Sequence, residues 1–425
     1  MTTRRTASAT TTATITAAKA TSNAVSKPKP STRTAATPPA ASGTASRKPS
    51  KASASPGARG ASGQELRVAV IGAGMAGVAC ARTLAQAGCH VTLVEKSRGF
   101  GGRMATRHTE FGGFDHGAQY FTVRDERFAQ ALATTPDVVV PWSASTVRVL
   151  DALGHVLASN PPPREAHYVA APGMNALVRT WAQPLADASH HLAPKQGSAV
   201  HLSTRVTRLA NDPIHPGCWE LHADDETTEG AQTVLDGFDR VVLALPHAQA
   251  IELLKASGLT KGAGQTLLKS LDTVTVAPCW TLMLAFPNAM QPGLPHLGPQ
   301  WNAARSTHHR ISWLAREGSK PRRDHIERWT VQASPAWSAE HLEDDPYRVT
   351  AKLRKAFAEV TGIRAEPTHA VVHRWRYAQT QTPLGQSHLW APALGLGLCG
   401  DWCLGHRVED AFVSGLELAL AVLKG

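Results

Sequence analysis

The sequence contains no long apolar run, and its first 64 residues contain no acidic residue at all. No segment approaches the roughly 18 uncharged apolar residues of a membrane-spanning helix, so no membrane span is predicted. Residues 1–64 hold ten Lys or Arg, which leaves about one unit of the net charge of +11 for the rest of the chain. The folded part is therefore predicted not to bind nucleic acid.

The N-terminal segment is built from Ala, Thr, Ser, Lys and Pro with few aliphatic residues. This composition predicts a disordered basic tail over residues 1–65. The tail lacks the apolar centre of a secretory signal, so we expect a cytoplasmic protein. An acid-free, Arg- and Ser-rich terminus is also typical of an organellar transit peptide, and the sequence leaves both alternatives open.

The six cysteines show no paired spacing, and the nearest two, Cys399 and Cys403, are separated by three residues. The pattern predicts reduced, mostly buried thiols rather than disulfides or a zinc site. The adjacent pairs His190-His191 and His308-His309 point apart on regular structure. The sequence shows neither a metal-ligand cluster nor a Ser–His–Asp triad, so no metal and no catalytic side chain are predicted.

Order is predicted to begin with a β-strand at Leu66–Ile71, followed directly by Gly72-Ala73-Gly74-Met75-Ala76-Gly77. Residues 78–87 form an Ala-rich predicted helix, and residues 90–94 form a second strand that ends at Glu95. A glycine motif in this strand–helix–strand setting predicts a dinucleotide site of the Rossmann type.

Each residue of that motif has a chemical role in such a site. Gly72 permits the sharp turn, Gly74 allows close approach of a pyrophosphate, and Gly77 allows the helix to lie against the sheet. The helix N-terminus supplies free amides and a partial positive charge to the phosphates. Glu95 would accept hydrogen bonds from the adenosine ribose and repel a 2′-phosphate, which disfavours tightly held NADP.

Two further segments favour a flavin over a nicotinamide cofactor. The segment Gly101-Gly102-Arg103-Met104 places an Arg and flexible backbone beside the pyrophosphate. Near the C-terminus, a predicted strand at Leu394–Leu398 leads to Asp401, and a predicted helix spans Glu409–Leu423. Asp401 would bind a ribityl hydroxyl, and the helix start would stabilise the reduced flavin ring.

These segments resemble the flavin amine oxidase superfamily, and within it the renalase type and its bacterial members. The resemblance runs from about Leu66 to the C-terminus. It is carried by residues 71–77, Glu95, residues 101–104, Asp115-His116-Gly117-Ala118-Gln119-Tyr120-Phe121, residues 172–177, Ser319-Lys320-Pro321, residues 333–338 and His373-Arg374-Trp375-Arg376-Tyr377-Ala378.

The resemblance implies an α/β protein of amine-oxidase topology with an α+β substrate part. A discontinuous Rossmann-like FAD-binding domain would comprise residues 66–125, 195–250 and 392–425, and a substrate domain with a mixed or antiparallel sheet would comprise residues 126–194 and 251–391. Residues 379–395 contain no Cys for covalent attachment, so we expect dissociable FAD. The implied cofactor contacts are Gly72, Gly74, Met75, Ala76, Gly77, Glu95, Lys96, Gly102, Arg103, Met104, Gln119, Tyr120, Val206, Gly400, Asp401, Val408 and Glu409.

The substrate side is rich in tryptophan, because all 11 Trp lie after residue 141. Trp375 and Tyr377 alternate on a predicted strand and are candidate pocket residues. Residues 280–286 and 328–333 alternate in polarity as antiparallel strands do, and residues 174–182 and 347–361 are predicted helices. Two basic clusters, residues 305–310 and 320–323, are open to two interpretations: a site for substrate phosphate or a solvated surface.

The predicted chemistry is carried out by the flavin ring, because oxidation of a dihydronicotinamide yields a pyridinium without a protein base. The resemblance implies an oxidase that converts misreduced NAD(P)H isomers to NAD(P)+ with oxygen as acceptor and hydrogen peroxide as product. One alternative is an amine oxidase or desaturase acting on another amine or polyene. Another is a non-catalytic flavin-binding scaffold or sensor. The sequence does not predict an oligomeric state.

Overall fold

A computed structural model describes residues 65–143, 147–159, 165–187, 199–228, 230–289 and 301–425. The predicted tail, apart from Glu65, and the pair His190-His191 lie outside these described residues. No helix in the described ranges combines the length and apolar character that crossing a bilayer requires.

The described residues form helices and strands in an alternating, mixed order. The helices are α1 (Met75–Gln86), α2 (Glu126–Ala133), α3 (Asn175–Ala186), α4 (His247–Ala256), α5 (Gly262–Leu271), α6 (Pro335–Glu340), α7 (Pro346–Thr361) and α8 (Val408–Lys424). The strands are β1 (Arg67–Ile71), β2 (His90–Val94), β3 (Thr106–Thr109), β4 (Gly112–Asp115), β5 (Val139–Pro141), β6 (Val147–Leu150), β7 (Val156–Ser159), β8 (Tyr168–Ala170), β9 (Ala199–His201), β10 (Thr204–Asn211), β11 (Trp219–Asp225), β12 (Gln232–Phe238), β13 (Arg240–Leu243), β14 (Thr275–Phe286), β15 (Ala303–Ser306), β16 (Ile311–Arg316), β17 (Glu327–Ala333), β18 (His369–Thr382), β19 (Leu389–Ala391) and β20 (Leu396–Leu398).

A mostly parallel sheet with the order β19-β20-β13-β1-β2-β9 contains the predicted strand–helix–strand unit. Both faces of β1 are buried, because Val68 and Val70 join the apolar cluster around α1 while Ala69 and Ile71 join the cluster around α4. A strand buried on both faces reads as a continuous apolar run, which is why β1 was recognisable in the sequence. The predicted α/β class with a Rossmann-like unit is confirmed.

A second, seven-stranded sheet has the order β18-β14-β17-β16-β15-β6-β7. Strands β14 and β17 pair antiparallel, with Thr281 opposite Gln332, so the predicted antiparallel pair is confirmed. One face of this sheet packs on α7 through Leu353 and Phe357. The predicted helices at residues 174–182 and 347–361 correspond to α3, which extends to Ala186, and to α7.

One predicted strand has different bounds in the structure, and the segment that leads to Val206 is interrupted. Residues 392–394 form a short 3-10 turn ended by Gly395 in the left-handed conformation (φ 61°), so β20 begins only at Leu396 rather than at Leu394. The segment at residues 201–206 is divided at Ser203, which has a φ of 53°. Its two parts, β9 and β10, belong to different sheets.

The first and last helices cross closely at Gly415. A Cβ on Gly415 would lie 2.1 Å from the Ala76 carbonyl oxygen, so only glycine allows α8 to approach the first turn of α1. The C-terminal helix is therefore fixed beside the glycine motif. The predicted segment boundaries of the two domains stay a prediction.

Candidate functional site

The glycine motif forms the turn between β1 and α1, and glycine is suited to its three glycine positions for different physical reasons. A Cβ on Gly72 would lie 2.5 Å from the Ala244 carbonyl oxygen, and one on Gly77 would lie 1.8 Å from the Gly72 carbonyl oxygen. Packing within the protein therefore requires both of these glycines. A Cβ on Gly74 would have only the Gly102 Cα within 4 Å among the described residues, at 3.9 Å. Protein packing does not require a glycine at position 74.

The N-terminus of α1 begins directly after Gly74. None of the described side chains caps this helix, and its first turn, which contains Met75, Ala76 and Gly77, has no acidic residue. The first amides and the positive end of the helix dipole are therefore free of a competing carboxylate. This arrangement fits an anionic diphosphate.

Glu95 connects the glycine turn to the loop after β2. Its Oε2 accepts a hydrogen bond from the Ala73 amide at 2.7 Å, and its Oε1 accepts one from the Ser97 amide at 2.8 Å. A carboxylate has about four acceptor sites, so further sites remain for ribose hydroxyls. Burial and the neighbouring charge of Arg205 lower the pKa of Lys96. The Thr204 amide, two residues before Val206, donates a hydrogen bond to the Glu95 carbonyl at 2.9 Å.

The second glycine turn, Gly101–Met104, packs on the first. The Gly101 amide donates to the Ala73 carbonyl at 3.0 Å, and a Cβ on Gly102 would lie 3.1 Å from the Gly74 Cα. Met104 is buried beneath the turn. The backbone next to Arg103 therefore packs on the turn that precedes α1.

Arg103 pairs with Asp401, although the two residues are 298 positions apart. Two parallel hydrogen bonds of 2.8 and 2.5 Å join the guanidinium to the carboxylate. Asp401 follows Gly400, whose amide donates to Ser414 Oγ of α8 at 2.9 Å. The structure thus brings together the predicted cofactor residues of both chain ends.

The start of α8 contains Val408 and Glu409. Val408 packs against the apolar cluster that surrounds α1. The buried Oε1 of Glu409 accepts hydrogen bonds from the amides of Arg124 and Asp125 at 2.6 and 2.7 Å. This contact anchors the turn before α2, a function that the sequence did not indicate. A flavin contact of Glu409 stays a prediction.

Gln119 and Tyr120 lie on the loop after β4. The Gln119 amide donates to the Asp115 carbonyl and to the Gly117 carbonyl, the latter at 3.2 Å, while its oxygen accepts from Lys320 Nζ at 3.3 Å. The Tyr120 ring lies among aromatic rings that the sequence did not associate with it, namely His167 at 4.3 Å, Trp313 at 5.6 Å and Trp142 at 6.2 Å between centroids.

Lys320 and Arg323 are buried in ion pairs, so the interpretation of residues 320–323 as a solvated surface run is wrong for these two. Lys320 Nζ lies 3.0 Å from Asp115 Oδ2, and Arg323 Nη2 lies 2.7 Å from the same oxygen. Burial alone would raise the pKa of Asp115, but the two cations outweigh it and lower the pKa to about 2. Burial raises the pKa of Glu317, the second acid beside Lys320.

Trp375 lies at the junction between β18 and the loop at residues 116–117, which packs on Arg103. Its indole nitrogen donates to the His116 carbonyl at 2.8 Å, and its ring stacks on that of His116 at 5.1 Å. A Cβ on the next residue, Gly117, would lie 2.0 Å from the Arg103 carbonyl oxygen and 3.4 Å from the Trp375 ring. Tyr377 lies farther along β18, with its ring 6.3 Å from that of His247.

A separate acidic group lies outside this site. Asp212, His215 and Asp236 bring three potential ligand atoms within 4.8 Å of one another. The carboxylate of Asp212 already accepts hydrogen bonds from His215 Nδ1 at 2.8 Å and from the Gly237 amide at 2.7 Å. Its oxygens are engaged within the protein, and we assign no metal to the group.

Comparison with known families decides the assignment. Residues 70–134 match the NAD(P)-binding Rossmann-like domain, and residues 160–423 match the family described as flavin containing amine oxidoreductase. The chain belongs to the flavin-containing amine oxidoreductase family. It is an FAD-dependent oxidoreductase, as the sequence predicted.

Solved structures show the same amine oxidoreductase fold at low sequence identity. A putative protoporphyrinogen oxidase from Exiguobacterium sp. 255-15 is 13% identical with a TM-score of 0.62, and a putrescine oxidase with redesigned cofactor binding is 13% identical with a TM-score of 0.59. Each comparison covers 85% of this chain and 99% of the other chain. A hydroxyneurosporene desaturase from Cereibacter sphaeroides is 48% identical over 59 residues, which span 14% of this chain and only 12% of the desaturase.

The described residues fit the FAD that this family uses. Gly74 has no side chain at a position where protein packing would accept one. The amides at the start of α1, which lack a side-chain cap, follow directly after this glycine. Arg103 and Asp401 provide a cation and hydrogen-bond acceptors next to it. This donor set matches a diphosphate followed by a hydroxylated chain.

Proposed function

We propose that this enzyme oxidises dihydronicotinamide nucleotides reduced at the wrong ring carbon. The substrate, one proton and one molecule of oxygen would yield NAD(P)+ and one molecule of hydrogen peroxide. When bound, FAD supplies the hydride acceptor and passes the electrons to oxygen. The proposal draws on the renalase-type motifs of the sequence and on the side chains that surround Trp375.

The observation that carries the proposal is a group of aromatic rings around Trp375, with the Arg107 guanidinium at its edge, 3.5 Å from His373 Nδ1. Trp375 stacks on His116 and meets the edge of His373, with ring centroids 5.1 and 4.4 Å away. Burial, together with the charges of His373 and Arg107, lowers the pKa of His116 to about 3. Burial and Arg107 lower the pKa of His373 to about 4. Both imidazoles are therefore neutral near neutral pH.

A neutral ring surface suits this substrate for a chemical reason. A dihydropyridine becomes an aromatic cation when it loses a hydride, so no protein base has to remove a proton. The chain needs only to bind the flat ring, orient it and exclude water. Trp375 supplies flat apolar area, and the neutral imidazoles avoid repelling the cationic product.

An amine or a polyene is the alternative substrate class. An alkylammonium substrate is best recognised by a free carboxylate. Among the described residues, Asp115, Glu317 and Asp401 are buried acids near the junction. Asp115 and Glu317 pair with Lys320, and Asp401 pairs with Arg103. This pairing favours the dihydronicotinamide. Family membership favours an enzyme over a non-catalytic scaffold.

The proposal includes specific residues. FAD would be held without a covalent bond by the glycine motif, Glu95, Arg103, the Gln119–Tyr120 loop, Asp401 and the start of α8, with Val206 at the adenine end. Trp375 would contact the substrate ring, with Tyr377 farther out. The flavin domain would comprise residues 66–125, 195–250 and 392–425.

The test is anaerobic mixing of the flavin-loaded protein with three sets of compounds, while the visible flavin absorbance is followed. The sets are dihydronicotinamides reduced at ring carbons other than the usual one, ordinary NADH and NADPH, and a panel of amines. We expect rapid bleaching only by the misreduced isomers. Bleaching by an amine, or by none of the isomers, would refute the proposal.

A matched pair of variants tests the role of Trp375. Trp375→Leu should retain FAD but bleach more slowly, because the stacking surface is lost. Arg374→Gln is the control, because Arg374 is the neighbouring residue on β18 and its guanidinium pairs with Glu343 rather than packing on His116. Equal bleaching rates in the two variants would show that Trp375 does not contact the substrate.

A further inference from the structure

Five buried ionic side chains form a cluster where β4 packs against β17. This buried ionic cluster consists of Asp115, Glu317, Lys320, Arg323 and Arg328. Lys320 Nζ lies 3.0 Å from both Asp115 Oδ2 and Glu317 Oε2. The Asp115 carboxylate also accepts hydrogen bonds from Thr106 Oγ1 at 2.6 Å and from the Met174 amide at 2.9 Å.

The cluster contains more positive than negative groups. Lys320, Arg323 and Arg328 give three cations against two acids, so the surplus is one positive charge with Glu317 ionised. Asp324 pairs with Arg328 at 3.6 Å from the edge of the cluster, and because its side chain is 71% exposed it compensates the buried charge only in part. A variant that neutralises a cation of the cluster and a variant that neutralises an acid should change the electrostatic potential around the cluster in opposite directions.

Three buried N–H donors of the cluster lack acceptors. Arg323 Nε, Arg323 Nη1 and Arg328 Nε are buried, and none of them meets an acceptor among the described residues. In a low-dielectric interior, a buried N–H without an acceptor has no partner dipole to offset its own. The field of the cluster therefore extends into its surroundings.

The surroundings include the loop that carries Gln119 and Tyr120. Lys320 Nζ donates to Gln119 Oε1 at 3.3 Å, and Gln119 in turn donates to the Gly117 carbonyl. Lys320 Nζ also lies 5.8 Å from the centroid of the Trp142 ring, which contacts Tyr120. Both routes lead from the cluster to the loop proposed to lie beside the flavin.

We infer that the buried ionic cluster raises the reduction potential of the bound FAD, with Lys320 as its principal positioning residue. The flavin gains negative charge when it accepts a hydride, and a fixed positive charge in a low-dielectric interior favours that form. This inference relies on the proposed position of the Gln119–Tyr120 loop but not on the identity of the substrate.

The experiment measures the midpoint potential of bound FAD by dye-equilibrated reduction, which requires no substrate. Lys320→Met should shift the reduced-to-oxidised ratio at least tenfold toward the oxidised form, which is about 30 mV for a two-electron couple. Asp115→Asn should shift the ratio toward the reduced form. Lys320→Arg retains the charge and should lie between the wild type and Lys320→Met.

Opposite shifts separate an electrostatic role from a structural one, because loosened packing would move the potentials of both variants in the same direction. Shifts of the same sign, or no shift in variants that retain FAD, would overturn the inference. Arg323→Gln replaces Lys320→Met if the latter does not fold, and the same downward shift is expected. Failure of the bleaching test with dihydronicotinamides would refute the proposed substrate but leave these potentials unaffected.

Discussion

Substitution of Gly74 separates the demands of the cofactor from those of protein packing. Gly74 has φ −82° and ψ −174°, an extended conformation that valine adopts readily. Among the described residues, its Cβ would meet only Gly102, at 3.9 Å. We therefore expect Gly74→Val to change the free energy of unfolding of the FAD-free protein by no more than about 1 kcal/mol.

The matched control is Gly77→Ala, whose Cβ would lie 1.8 Å from the Gly72 carbonyl oxygen. An overlap with backbone of this size should destabilise the FAD-free protein by about 3 kcal/mol. The two variants differ in sequence position by one helical turn, but only the first should be tolerated by the protein itself.

The assay is urea unfolding with and without FAD. A ligand at 100 times its Kd stabilises the wild type by about 2.7 kcal/mol. Gly74→Val should lose this shift, because the branched side chain occupies the approach of the pyrophosphate. A full FAD-dependent shift in Gly74→Val, or a loss of FAD-free stability equal to that of Gly77→Ala, would refute the assignment of this turn.

Two further predictions concern stability. The folded pKa of His116 is about 3, below its ordinary 6.5. Below pH 6.5 the unfolded chain therefore binds a proton that the buried imidazole does not bind, and the free energy of unfolding falls as the pH falls. The decline is at most about 2 kcal/mol between about pH 7 and pH 5, and urea unfolding of His116→Phe should show a correspondingly shallower pH dependence; an unchanged slope would contradict this. Gly415→Val should lower the thermal midpoint and FAD retention together, because its Cβ would overlap the Ala76 carbonyl. Thermal melts of the FAD-free and FAD-bound forms test this, and unchanged midpoints in both forms would contradict it.

The parts of the fold that the sequence predicted are those with a local signature. The apolar run at residues 66–71 and the alternation of polarity at residues 280–286 are each typical of a β-strand, so β1 and β14 were recognisable. The start of β20 was predicted two residues early. Gly395 adopts a left-handed conformation there, and an apolar run does not reveal a turn of that kind.

Long-range pairing was not predictable from one sequence. Asp115 and Lys320 each belonged to a recognised motif, but nothing local to either indicated that they meet across 205 positions. The contact of Glu409 with the Arg124 and Asp125 amides was missed for the same reason. Side chains pair through the tertiary fold, whereas periodicity and motif spacing report only neighbours along the chain.

The ion pair between Arg103 and Asp401 has a consequence for how the protein is made. Asp401 is synthesised 298 positions after Arg103, so the ion pair can form only after that length of chain has been made. Under the proposed role of this pair in holding FAD, cofactor loading is a late event in biogenesis. A chain that terminates before Asp401 would then leave the ribosome without the means to retain FAD.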